Sequence, residues 1–320
     1  MDYILLLVGF FVLIKCASYL VDGSTNIAKK YGISNLVIGL TIIAFGTSAP
    51  EIFINTISAI KSETGLALGN IIGSNIANIL LILGISSIIY PLKAQNSTVF
   101  KEAPYSLLTS LALFFLANDI VLSHSNINVI TFGDSSILFI FFVIFMSYTF
   151  GIMKNIGEDQ EEHSHRLTTI KSIVYIVGGT IGLALGAEVI VRAAKSIAFS
   201  FGVSETVIGL TIIAIGTSLP ELATSIAASL RKENDIVVGN IIGSNIINIV
   251  LGLSLTGFIN PILISPSDII YIYFELTVTT LLLMFLYMST NKGKLNRWHG
   301  IIFLIFYVIY LVYVGAKSIT

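Results

Sequence analysis

The chain has 320 residues, 55% hydrophobic and 11% charged, with a mean hydropathy of +0.93; soluble domains carry about 25% charged residues, so water is excluded as its main solvent. A formal net charge of -1 and a pI near 6.4 exclude a strongly basic nucleic-acid binder. Cys16 is the single cysteine, so no intrachain disulfide can form and the redox compartment is not indicated.

In chain order, apolar segments predict helices at 3–22, 36–60, 67–90, 104–122 and 135–153, then at 172–192, 206–230, 237–259, 269–288 and 298–315. Each approaches the roughly 20 residues that cross a bilayer. The first is read as a helix rather than a signal peptide, because Lys15 interrupts its apolar run and no small-residue cleavage site follows. The longest polar stretch, Asn155 to Arg166, divides the chain into a first five-helix unit (1–153), a linker (154–171) and a second five-helix unit (172–320).

The two units repeat one another. GISNLVIGLTIIAFGTSAPE from Gly32 and GVSETVIGLTIIAIGTSLPE from Gly202 match at 15 of 20 positions, and GNIIGSNIANIL from Gly69 and GNIIGSNIINIV from Gly239 match at 10 of 12. Both matches keep an offset of 170. Five spans per unit turn the second copy upside down relative to the first, the inverted plan of many secondary transporters. The expected fold is an all-α membrane protein of ten transmembrane helices, two inverted five-helix repeats with broken helices 2 and 7 at the core.

Loop charges set the orientation. Twelve lysines and arginines, from Lys29 to Arg297, fall on one side, against Lys61, Arg192, Lys195 and Lys317 on the other. The positive-inside rule therefore puts the linker in the cytoplasm and both termini outside, with Trp298 as an anchor at the inner face.

Glu51 and Glu221 lie near the middle of the second and seventh spans, each closing a Gly-Thr-Ser-x-Pro-Glu motif. An ionised carboxylate at that depth costs a few kcal/mol unless it meets water or a cation, so it is read as functional. Pro50 and Pro220 crowd the carbonyls of Gly46 and Gly216, which predicts a kink or break in each helix. Thr47 and Ser48 share one turn with Glu51, as Thr217 and Ser218 do with Glu221. Ser74 with Asn78, and Ser244 with Asn248, lie at i and i+4 on one face. Carboxylate, hydroxyl, amide and carbonyl oxygens form the ligand set of hard cations such as calcium and sodium, whereas zinc or copper would draw on His or Cys. Two carboxylates balance one divalent ion or two or more monovalent ions, which points to divalent-for-monovalent antiport. The Gly-x-x-x-Gly pairs Gly69/Gly73 and Gly239/Gly243 are read as packing aids for the third and eighth spans.

These paired motifs and the ten-span layout resemble the cation/calcium exchanger superfamily, most nearly its prokaryotic sodium/calcium exchanger branch, and the resemblance covers essentially the whole chain. It implies exchange of calcium for sodium by alternating access, with calcium and sodium ions as the only partners besides the bilayer and with no cofactor. It also implies calcium and sodium binding by Glu51 and Glu221, backbone carbonyls from Thr47, Thr217, Ala44 and Ala214, and sodium-site oxygens from Ser48, Ser218, Ser74 and Ser244. Asn78 and Asn248 would complete the centre. Some family members carry Asp where Asn248 stands, and potassium-carrying ones tend to have Asp in this motif. The Glu-His pair usual after Gly-Asn in proton/calcium exchangers is absent here, so proton/calcium exchange is the second reading.

Other classes remain beside it: a channel, which would conduct under voltage alone, and an intramembrane hydrolase using two carboxylates. The competing view of the motifs is a kinked helix with neutral, hydrogen-bonded Glu. Lys15 reads as snorkelling, Glu188 as a local partner of Arg192, and the linker acids and histidines (Glu158, Asp159, Glu161, Glu162, His163, His165) as a solvated loop. Glu275, about two turns into span nine, is read as lying off the ion path, with a role on that path as the alternative. Asn96-Ser97-Thr98 matches a glycosylation sequon but falls on the cytoplasmic side.

Overall fold

The computed structural model of the chain describes residues 2–122, 124, 126–154, 167–201, 214–289 and 293–317. Its helices are α1 (Asp2–Tyr31), α2 (Asn35–Ile60), α3 (Thr64–Ile89), α4 (Thr98–Leu116), α5 (Phe132–Lys154), α6 (Thr169–Ser200), α7 (Leu219–Leu230), α8 (Asn234–Ile259), α9 (Pro266–Met288) and α10 (Arg297–Lys317). Nine of them, all but α7, are long and apolar enough to cross a membrane. The linker acids and histidines, and the part of the seventh span before Ala214, lie outside the described residues.

Local chemistry sets many of the boundaries. Ser34 caps α2 by accepting from the Val37 N–H, and Thr168 caps α6 by accepting from Lys171. Ser265 and Asp268 form a capping box at α9, with Pro266 in the first turn where its missing N–H costs nothing. The turns between α2 and α3 and between α7 and α8 each pass through one left-handed residue, Ser62 (φ 63) and Lys232 (φ 62), themselves 170 positions apart.

Two expectations are corrected. Helix α1 does not end at 22 but continues to Tyr31, because its polar tail has partners: Asn26 Nδ2 donates to Ser172 Oγ (2.8 Å) and to the Leu167 carbonyl (3.0 Å). Helix α2 is not interrupted at Pro50 but runs on from Ala44 to Ile60 with the proline inside it. A proline removes one helical bond, and the turns on both sides hold the segment together. The irregular stretch lies upstream, a π-helical segment at Gly39–Ile43. In the second copy the helical turn Ala214–Thr217 stops at Ser218 (φ -88, ψ 6), and α7 starts afresh with Pro220 in its first turn.

Burial orders the helices. The most apolar window of α8 is 94% buried and that of α3 is 78% buried, against 28% in α1 and α6, so α3 and α8 form the centre. Helices α1 and α6 pack along one another through small residues: a Cβ on Gly179 would lie 2.9 Å from the Cys16 carbonyl oxygen and from Leu20 N. Outward faces carry exposed aliphatic side chains, Ile173, Val177 and Leu185 on α6 and Ile305, Val308 and Val312 on α10, as lipid contact demands. Two antiparallel ribbons tie the copies together: β1 (Leu92–Lys93) pairs with β4 (Lys294–Leu295), and β2 (Asn128–Ile130) with β3 (Ile262–Ile264).

Helix α8 meets α2 closely. A Cβ on Gly239 would lie 2.8 Å from the Leu36 carbonyl oxygen, and one on Gly243 would lie 2.9 Å from Leu40 Cα and from Ala44 Cβ. These two glycines are the packing contacts expected of them. At Gly69 and Gly73 a Cβ would meet no atom within 4 Å among the described residues.

Candidate functional site

Helices α2, α3, α7 and α8 bring the expected polar residues into one buried interior. Glu51, Thr47, Ser48, Ala44, Asn78 and Ser244 are 0% exposed, Glu221 and Asn248 are 1%, and Ser74 and Ser218 are 2%. Thr217 is half-buried in the turn that starts at Ala214. The two Gly-Thr-Ser-x-Pro-Glu motifs meet here: Ser48 Oγ of the first donates to Glu221 Oε1 of the second at 3.2 Å. Thr47 Oγ1 lies 3.1 Å from Asn240 Oδ1 and 3.3 Å from the Ala44 carbonyl oxygen, and its single proton can serve one of them at a time.

The third and eighth helices interlock at the same level. Asn75 Nδ2 donates to the Asn245 carbonyl and Asn245 Nδ2 to the Asn75 carbonyl, both at 3.2 Å. Asn78 Nδ2 donates to Asn245 Oδ1 (2.9 Å), and Asn248 Nδ2 to Asn75 Oδ1 (3.1 Å). With their amide nitrogens held in this way, the Asn78 and Asn248 Oδ1 atoms are left without a partner. Immediately after, at Asn78–Leu83 and Asn248–Leu253, both helices turn π-helical, a distortion frequent at functional sites.

A second pair of equivalents supports this level. Asn70 Nδ2 donates to Asn55 Oδ1 (2.9 Å), and Asn240 Nδ2 to Ser225 Oγ (3.3 Å). Sequence reasoning singled out neither Asn75 and Asn245 nor Asn70 and Asn240. All four lie inside the repeated Gly-Asn-x-x-Gly-Ser-Asn segment, and its duplication was the available signal.

The oxygens in this interior are short of donors. Both carboxylate oxygens of Glu51, Glu221 Oε2, the hydroxyls of Ser74, Ser218 and Ser244, and the two Asn Oδ1 atoms are buried with no hydrogen-bond partner. Native interiors leave few such atoms, since each costs about 1–3 kcal/mol. On residues that mostly correspond between the two copies, these carboxylate, hydroxyl and amide oxygens are of the kind that could hold a hard cation. Among the described residues no three His, Cys, Asp or Glu side chains come together. The acid in the site is thus the pair Glu51 and Glu221, with neutral oxygens around it.

Outside this site, Glu188 and Arg192 form the expected local pair (2.5 Å) on the exposed face of α6. Glu275 is 1% exposed. Its Oε1 accepts from Ser110 Oγ (2.9 Å) on α4 and from Thr279 Oγ1 (3.1 Å) one turn further along α9.

Helices long and apolar enough to cross a membrane surround a buried acid pair, an architecture open to an ion transporter and to an intramembrane hydrolase alike; the relatives of this chain are transporters, not enzymes. The chain belongs to the sodium/calcium exchanger protein family, whose pattern matches residues 1–151 and 171–316. It is 31% identical to the sodium/calcium exchanger MaX1 of Methanosarcina acetivorans, over 97% of each chain. It is 35% identical to an uncharacterized membrane protein of Methanocaldococcus jannaschii, over 95% of this chain and 94% of that one. A solved structure of the sodium-calcium exchanger NCX_Mj, soaked with 10 mM Na+ and 10 mM Sr2+, superposes with a TM-score of 0.83 at 33% identity, covering 97% of each chain.

Proposed function

We propose that the chain exchanges calcium for sodium across the membrane by alternating access, with the ions held between α2, α3, α7 and α8. The observation that carries this reading is the cluster of buried, unpartnered oxygens on Glu51, Glu221, Ser74, Ser218, Ser244, Asn78 and Asn248. Glu51 and Glu221 neutralise the ions, and Thr47, Ser48 and Thr217 with the carbonyls of Ala44 and Ala214 extend the set. Their charge of two balances one calcium ion, and monovalent ions replace it when sodium is abundant on the facing side. Oxygen ligands alone suit both hard cations.

Sodium is preferred to protons as counter-ion because relatives matching nearly all of the chain are sodium/calcium exchangers. The reciprocal contacts between residues 170 apart support an inverted relation of units 1–153 and 172–320 around the linker 154–171. The loop lysines and arginines, twelve against four, favour a cytoplasmic linker with both termini outside.

The test uses purified full-length protein in proteoliposomes loaded with calcium. Release driven by an imposed sodium gradient, and unaffected by a pH gradient of equal size, is expected. Release that follows the pH gradient and ignores sodium would overturn the assignment.

A further inference from the structure

Asn240, on α8, is not among the proposed ligands, yet it bridges two of the helices that carry them. Its Oδ1 is 3.1 Å from Thr47 Oγ1 on α2, and its Nδ2 donates to Ser225 Oγ on α7 at 3.3 Å. All three residues are 0% exposed. Close backbone contact fixes Asn240 against α2, since a Cβ on Gly39 would lie 3.2 Å from Asn240 N.

Thr47 has one hydroxyl proton and two acceptors within reach, Asn240 Oδ1 at 3.1 Å and the Ala44 carbonyl oxygen at 3.3 Å. The two choices differ at the Ala44 oxygen. A carbonyl has two lone pairs, and within a helix one of them takes the N–H four residues on. If the Thr47 hydroxyl takes the other, none remains for a cation; if the proton goes to Asn240, that lone pair is open.

The Asn240 carboxamide decides between them. With its oxygen toward Thr47 it accepts the proton, whereas turned over it would present its NH2 and send the proton back to Ala44. Ser225, on the other side, receives the NH2 and so leaves the oxygen toward Thr47. The first copy repeats the arrangement: Asn70 Nδ2 donates to Asn55 Oδ1 at 2.9 Å, and Asn70 and Asn55 stand 170 positions before Asn240 and Ser225.

From these contacts we infer that Asn240 is a positioning residue of the ion site, drawing the Thr47 proton to itself so that the Ala44 carbonyl stays open to sodium. Ala44 precedes Glu51 by two helical turns, about 10 Å along the axis, so a cation on its carbonyl is held mainly by neutral oxygens and suits one charge better than two. This inference rests on the proposed exchange site.

The experiment reads ion binding as protection of the purified full-length protein against thermal unfolding, in separate sodium and calcium titrations with ionic strength held by choline chloride. Asn240→Leu keeps the branched shape without the acceptor. It is expected to raise the sodium concentration giving half-maximal protection by about tenfold, the loss usual when a group supporting a metal ligand is removed, with the calcium value moving by less. Ser225→Ala, which removes the partner of the Asn240 NH2, should shift the sodium value in the same direction by a smaller factor. Thr47→Val removes the proton itself and keeps the backbone carbonyl, so in that background Asn240→Leu should raise the sodium value no further.

An Asn240 that serves only packing would lower the unfolding temperature without ions and weaken sodium and calcium protection alike, in the Thr47→Val background as in the wild type. That result, or an unchanged sodium value in Asn240→Leu, overturns the inference. If Asn240→Leu does not fold, Ser225→Ala decides in its place, an unchanged sodium value again overturning it. Glu51→Gln separates the two claims. If it abolishes calcium protection while Asn240→Leu leaves the sodium value where it was, the exchange site stands and the positioning role falls; if neither ion protects the wild-type protein, both fall.

Discussion

Asn75 and Asn245, 170 residues apart, each donate a side-chain N–H to the other's backbone carbonyl at 3.2 Å. A reciprocal contact between equivalent residues is what a two-fold relation produces, since whatever i does to j, j does to i. It joins the two copies' most buried helices, α3 and α8. Pulling one copy away from the other would break both bonds at once.

The acid pair gives the first prediction. Glu51→Gln and Glu221→Gln each keep the shape of the side chain and remove half of the charge that balances a divalent ion. Each should abolish sodium-driven calcium flux in proteoliposomes while leaving the protein folded by circular dichroism. Wild-type flux in either variant would remove that residue from the site.

These two acids were legible in sequence for a physical reason: a carboxylate in an apolar span is costly, and the chain carries it twice at equivalent places. The spans were legible from hydropathy, with misses where polarity is satisfied locally. The tail of α1 looked like a loop after Asp22 because hydropathy does not count the bond from Asn26 to Ser172. Asn75 and Asn245 were not legible as a pair, because no local periodicity distinguishes an Asn facing a symmetry mate from one facing solvent. The stop at Ser218 against the unbroken passage through Pro50 was also hidden, since both segments carry the same Gly-Thr-Ser-x-Pro-Glu residues.

Asn245 gives the second prediction. Its carboxamide both donates to the Asn75 carbonyl and accepts from Asn78. At about 0.6 kcal/mol for a hydrogen bond between membrane helices, Asn245→Ala should cost about 1 kcal/mol of stability. The freed Asn78 amide should also weaken calcium binding, read as a higher calcium concentration for half-maximal exchange. An unchanged unfolding temperature together with unchanged calcium dependence would show that the reciprocal pair does neither job.

The third prediction concerns Asn248→Asp. The new carboxylate adds charge to the cage but loses the N–H that now reaches Asn75 Oδ1, so two acceptors face each other there. The protein should still fold, since one bond is lost in an extensive core, while the sodium and calcium dependence of exchange should change relative to each other. Flux titrated against each ion in turn checks this, and parallel, unshifted curves would refute it.

Gly243 gives the fourth. A Cβ at this position would fall 2.9 Å from Leu40 Cα, the Leu40 carbonyl oxygen and Ala44 Cβ, and the first two are backbone that cannot swing aside. Gly243→Ala must therefore push α8 away from α2, and overpacking of this kind costs about 1–3 kcal/mol. The shift acts one residue from Ser244 and beside Ala44, so the cage should widen on the side shared by the two helices. Calcium protection against thermal unfolding should weaken more than the unfolding temperature of the calcium-free protein falls, because calcium needs all its oxygens at once and the apolar core does not. Equal losses with and without calcium would mean that the glycine serves only helix packing, with the ion ligands positioned independently of it.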